Sequence, residues 1–235
     1  MAPSPLPFIK DRWLIDSSGR SVGRYSVSLT RGSPLTLQSA GTIGNARKTI
    51  EVRLLKSGFP TPPAPITLSE GNPDDGIDPR LKTPAGAERI VEGIVRNATD
   101  SFSAPPNSVV SLGTVGSPSN YRVVVVNGDC EFGTAAGYGI LLVRGTLTLR
   151  GNFTWNGLIL VIGQGSLRVS GSTTGWITGA VFLSRTRAVD GAVLQQLGTT
   201  TLDLAGNSIS VSMSAAEMDR ANQGFPYVIA SYREF

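Results

Sequence analysis

The chain has 235 residues, of which 16% are charged and 40% hydrophobic, with a formal net charge of +4. That length suits one large domain or two small ones, and the shortage of Glu, Lys, Ala and Leu argues against long amphipathic helices. The complete absence of histidine excludes Ser-His-Asp and Cys-His catalysis, histidine-containing zinc sites and histidine general bases. Cys130 is the single cysteine, so no intrachain disulfide can form. Lys and Arg are scattered rather than clustered, so no specific nucleic-acid partner is expected.

Residues 1–57 read as an antiparallel β region. Arg24 to Leu29, Leu35 to Leu37 and Thr49 to Leu54 alternate polar and apolar side chains, as half-buried strands do. Gly19, Gly32, Gly41 and Gly44 supply the breaks of a meander. The first residues, Met1 to Pro7, lack both the charged and the apolar parts of a signal peptide.

Residues 58–83 read as a Pro-rich linker, because Pro60, Pro62, Pro63, Pro65, Pro73 and Pro79 remove backbone donors. Within it, Glu70 to Asp78 forms an acidic loop in which Asp74, Asp75 and Asp78 are candidate calcium ligands. A solvated turn fits the same residues, since Asp and Asn favour turn geometry and the spacing is not that of an EF-hand.

Residues 84–100 predict a helix, with Thr83 as N-cap, Pro84 in the first turn, and Ile90, Val91, Ile94, Val95 and Ala98 as the apolar stripe. Placed before a repeat region, such a helix is expected to cap an open end. Together with everything downstream it forms the third segment, 84–235.

From residue 121 the texture becomes repetitive. Apolar strands follow Gly139, Gly157 and Gly179, with starts 18 and then 22 residues apart. Gly145 and Gly163 close the first two of them, so these five glycines are read as structural turns. Between the apolar runs lie shorter alternating strands, Thr146 to Leu149 and Asn152 to Trp155, then Ser166 to Val169 and Gly175 to Thr178. About three short strands per period predict a parallel β-helix. An antiparallel sandwich is the competing architecture. The expected fold is therefore mainly β: a short parallel β-helix, or β-solenoid, preceded by the antiparallel region and one capping helix. Phe153 and Trp155 share one face, expected to be core, with Trp176 in the related strand of the next period. Arg150 and Arg168 flank equivalent strands and would stack with Arg144 into a basic stripe, either an anion contact or a solvated face.

The stretch Tyr138 to Gly163, with Gly-Ile-Leu-Leu-Val-Arg-Gly followed by Gly-Leu-Ile-Leu-Val-Ile-Gly, resembles the β-helix part of PilX-like proteins of type IV pilus assembly. The ending Phe225 to Phe235 looks like the tail that closes such chains, and Asn45 to Leu54 looks like their pilin-like strand. The resemblance implies a structural, adhesive component at the cell surface, extracellular and pilus-associated, whose partners are other pilus or filament subunits. It also implies membrane attachment only through a hydrophobic N-terminal helix; the sequence is expected to begin after that helix, which would have been removed ahead of residue 1.

Two alternatives stand beside that reading. One is a bactofilin-like filament of solenoids stacked end to end. The other is a β-helix that binds or cleaves carbohydrate, with surface glycans as partners. Cleavage needs paired carboxylates, whereas Asp129, Glu131, Asp190 and Asp203 are spread along the chain. The chain is therefore expected not to be an enzyme, and no cofactor is expected.

Overall fold

The structure is a computed structural model and describes residues 6–30, 35–56, 58–72, 74–105, 108–205 and 208–235. Gly32 and Pro73, singled out above, lie outside the described residues. The fold is mainly β and divides into two compact units, one of residues 1–57 with 226–235, the other of residues 58–225.

The first unit opens with four antiparallel strands: β1 (Leu6–Ile15), β2 (Ser21–Thr30), β3 (Leu35–Ile43) and β4 (Ala46–Lys56). Each pairs with the next. Asp16 shapes the first turn, its Oδ1 accepting from the Ser18 and Arg20 amides at 2.9 Å each. Gly44 turns β3 into β4 with a φ of 56°, whereas Gly41 lies inside β3.

Residues 58–83 do not behave as a linker. Phe59, Ile77 and Leu81 are buried in the core of the second unit. Asn222 grips Phe59, accepting from its amide at 3.0 Å and donating to its carbonyl at 3.2 Å. The proline-free run β5 (Ile66–Ser69) adds as an edge strand, and a 3-10 turn at Pro79–Leu81 leads into helix α1 (Pro84–Arg96). Prolines forbid a central strand but leave room for an edge strand and for apolar anchors between them.

The helix begins as its sequence predicts, with the Thr83 hydroxyl accepting from the Gly86 amide at 3.2 Å. Its position differs from the expectation. Ala87, Val91 and Ile94 bury against a sheet face rather than closing an open end.

That sheet is built from parallel strands. In chain order they are β6 (Asp100–Ser103), β7 (Val109–Leu112), β8 (Arg122–Asn127), β9 (Asp129–Phe132), β10 (Ala136–Val143), β11 (Thr146–Gly163) and β12 (Ser166–Arg187). Then follow β13 (Val193–Gly198), β14 (Thr201–Asp203) and β15 (Ser208–Met213). The long strands take part in more than one ladder, and three ladders result. The first runs β6–β8–β10–β11–β12–β5 through the register Gly139↔Gly157↔Gly179. The second runs β7–β9–β11–β12–β14, with Cys130↔Leu147↔Leu167↔Leu202. The third runs β10–β11–β12–β15, with Trp155↔Ile177↔Val211. Among the described residues of this sheet, β13 alone joins β12 antiparallel.

Strands of the first ladder are buried on both faces, which is why they read as unbroken apolar runs. Val123, Val125, Leu142, Leu160 and Phe182 face the helices, while Val124, Val126, Leu141, Ile159 and Leu183 face the other two ladders. Helix α2 (Ala215–Ala221), capped by the Ser214 hydroxyl accepting from the Glu217 amide at 3.3 Å, adds Met218 and Ala221 to the helical side.

The interior of the third ladder alternates large with small. A Cβ on Gly137 would sit 1.9 Å from the Trp155 ring, and one on Gly175 would sit 2.3 Å from Phe153. Phe132 packs edge-on against both aromatic rings, at 6.0 Å from Phe153 and 5.4 Å from Trp155. The Trp155 indole donates to the Gly139 carbonyl at 3.3 Å.

The chain ends outside this unit. Strand β16 (Tyr227–Glu234) pairs antiparallel with β4 and completes a five-stranded sheet in the order β1-β2-β3-β4-β16. The tail therefore belongs with the N-terminal sheet rather than with residues 84–225.

Candidate functional site

The completed sheet of the first unit has two chemically distinct faces, because successive side chains alternate. The register Leu29↔Leu37↔Val52, flanked by Val27, Ile50 and Leu54, places the apolar residues together. Ser28↔Gln38↔Glu51 carries the other face, where the Arg24 guanidinium also lies 5.5 Å over the Trp13 ring. None of the described side chains in this unit is buried. A sheet with one apolar face needs a second layer, and within this unit no described element supplies it. This face is the candidate functional site.

The acidic loop does not gather its carboxylates. Asp75 Oδ1 meets Lys82 Nζ at 2.8 Å and accepts from the Ile77 amide at 3.0 Å. Burial pushes its pKa up, but the lysine and the amide outweigh that and hold it below the usual carboxylate range. Asp78 is taken by Arg80, which donates from its amide at 2.9 Å, Nε at 3.0 Å and Nη2 at 2.8 Å. The Arg80 hydrogen bond lowers the Asp78 pKa. Asp74 is exposed. Among the described residues no cluster of three acidic or cysteine groups could hold a metal ion. The loop acts as a folded turn that starts the 3-10 segment.

Of the five glycines read as turns, Gly139, Gly157, Gly163 and Gly179 lie within strands and only Gly145 between them; all five stand tight against the backbone stacked beneath. Gly139, Gly157 and Gly179 have φ of 125°, 126° and 145°. A Cβ on each would lie 1.8 to 2.1 Å from the carbonyl oxygen of the residue stacked beneath it. Gly163 stands over the Arg144 carbonyl in the same way, and Gly145 stands over Gly128.

The basic stripe does not form. Register places Arg168 opposite Thr148, and Arg150 opposite Ser170. Arg150 reaches Glu131 at 3.5 Å. Arg144 turns to a cluster the sequence did not announce, centred on Glu88 of α1. The Glu88 carboxylate accepts from Arg187 Nε at 2.9 Å and Nη2 at 2.6 Å, from Arg144 Nη2 at 2.5 Å, and from the Thr186 hydroxyl at 2.7 Å. Desolvation pushes its pKa up, but the hydrogen bonds and the two cations prevail and lower it. Both oxygens are fully used, so Glu88 clamps the helix to the strand ends and has no free lone pair for a ligand. A carboxylate in the apolar stripe, one turn before Val91, was the available signal.

Cys130 points into the interior, and burial raises its thiol to about 12, with Glu131 and Asp129 adding to the shift. It is a packing residue in this environment. Phe153 and Trp155 are core, whereas Trp176 is 55% exposed. No helix among the described residues is long and apolar enough to cross a membrane.

No family model matches the chain, and no curated protein matches it in sequence. Among solved structures, the competence-associated pilin ComZ from Thermus thermophilus aligns over 98% of this chain and 87% of that chain, at 10% identity and a TM-score of 0.26. That score lies below the level of a shared fold.

Proposed function

We propose that this protein is a structural subunit of a cell-surface assembly of the type IV pilus class, working through contacts rather than turnover. In this reading the three parallel ladders are the three faces of a short β-helix, each coil giving one strand to each ladder, and the whole is displayed as a rigid body. The five-stranded sheet is the part that docks to neighbouring subunits.

The observation that carries the proposal is the apolar face of that sheet. Leu29, Leu37, Val52 and their neighbours are only half-buried. Each has on the order of 1 kcal/mol to gain from full burial. An apolar sheet face with no second layer over it marks an interaction surface. The sequence resemblance at residues 45–54, 138–163 and 225–235 supplies the class of assembly.

The test is charge insertion. Leu37→Lys and Val52→Lys should abolish recovery of the protein in the sheared surface-filament fraction of its native host. Gln38→Lys, on the polar face, should leave recovery unchanged. Equal recovery of all three variants would remove the docking role.

A bactofilin-like polymer is a second reading, favoured by one observation. Among the described residues β6 and β7 at one end of the ladders, and β5, β14 and β15 at the other, pair on one side only. Filaments of the purified chain in electron micrographs would support it, and a strictly monomeric chain at high concentration would remove it.

A further inference from the structure

We propose that the outward face of the third ladder, centred on Trp176, binds neutral polysaccharide. The three ladders present three different outer surfaces. The first is covered by α1 and α2. The second carries charges, with Glu131, Thr148, Arg168 and Asp203 in successive strands of one row. The third carries none in its corresponding rows. Its central row is Thr154, Trp176 and Ser210, and Asn152, Thr174 and Thr178 stand beside it.

Trp176 stands out to solvent there. Its register partners are a Thr and a Ser, so it is the one large side chain of its row. Its ring is 55% exposed, while the neighbouring Ile177 turns inward and is buried. The side chains of Thr154, Thr174, Thr178 and Ser210 make no hydrogen bond within the described residues and stand free as donors and acceptors. Strands in a ladder lie about 4.8 Å apart and side chains on one face recur about every 6.7 Å. The result is a regular lattice of hydroxyl and amide groups around one flat aromatic ring.

That chemistry matches a sugar ring. The apolar C–H face of a pyranose stacks on an indole, and the sugar hydroxyls exchange hydrogen bonds with Thr, Ser and Asn side chains. The lack of charge selects against acidic glycans and nucleic acids, both of which need cations. An extended strand face suits a polymer rather than a small ligand held in a cavity.

The test uses the full chain. Cosedimentation with insoluble cellulose and chitin, and native affinity electrophoresis through laminarin and mannan, form the neutral arm. Alginate and polygalacturonate form the acidic arm. At least one neutral polymer should retain the protein. Trp176→Ala should weaken retention about tenfold or more, and Trp176→Phe should keep part of it. Trp13→Ala, which removes the other exposed indole, should change nothing. An unchanged urea midpoint, read by far-ultraviolet circular dichroism, would show that the Trp176 variants are folded. The proposal fails if no neutral polymer retains the protein or if Trp176→Ala binds as well as the parent. It fails equally if only the acidic polymers bind, or if sedimentation shows that the Trp176 face joins two copies of the chain.

Discussion

Replacing Gly157 by Ala should cost far more than the same change at Gly171, although both glycines have positive φ. At Gly171, with φ of 71°, an added Cβ meets nothing within 4 Å. The cost there is conformational alone, about 1 kcal/mol. At Gly157, with φ of 126°, the Cβ would lie 2.1 Å from the Gly139 carbonyl oxygen and 3.2 Å from the Ala221 Cβ. Relief therefore needs the stacked backbone of β10 to move, with the Ala221 side chain of helix α2 also in contact. Backbone strain adds roughly 1–3 kcal/mol, and each ladder hydrogen bond lost adds on the order of 1 kcal/mol. The expected total is about 3–5 kcal/mol for Gly157→Ala. Urea titration followed by near-ultraviolet circular dichroism measures both variants against the parent. Equal losses at the two sites would refute the stacking of Gly157 on Gly139, and with it the register of the first ladder.

Glu88→Ala should cost about 2–4 kcal/mol, because it leaves Arg144 and Arg187 without their carboxylate. Since folding lowers the Glu88 pKa below its ordinary 4.5, its contribution is complete above that value and is lost as pH falls through the lower, folded pKa. Acid titration of the melting temperature in parent and variant should therefore converge at the acid end and separate toward neutrality. Cys130 should resist a thiol reagent in the folded protein at pH 8 and react after denaturation, given a thiol raised to about 12. Reaction in the folded state would mean that the interior is open. Calcium should leave the melting temperature unchanged, because Asp75 and Asp78 are already held by Lys82 and Arg80; a calcium-dependent rise would show that the loop rearranges to bind it.

The parts legible in the sequence were those with a fixed local signal. Thr83 and Pro84 announced the helix start, and the recurrence of Gly139, Gly157 and Gly179 announced the first ladder's register. What escaped depended on tertiary partners. The helix was expected at an end, but the four consecutive valines from Val123 to Val126 already implied a strand buried on both faces. One of those faces had to be covered, and α1 does it. Trp155 and Trp176 lie 21 residues apart, whereas strands β11 and β12 pair here at an offset of 22, so Trp155 stands opposite Ile177 and Trp176 opposite Thr154. One residue of offset sends one indole inward and the other to solvent. The return of β16 to β4 has no sequence signal of its own, because eight alternating residues do not name their partner. The prolines of 58–83 suggested a linker, and the buried Phe59, Ile77 and Leu81 between them were the overlooked counter-signal.

The docking role of the apolar sheet face can be tested directly by photocrosslinking. A photoreactive amino acid is placed at Leu37 or Val52, or at Gln38 as the opposite-face control, in the native host. Mass spectrometry then identifies the captured chain. The account predicts adducts with a pilus-class subunit from Leu37 and Val52, and none from Gln38. Adducts equal from both faces, or none from the apolar face in cells that display the protein, would contradict it.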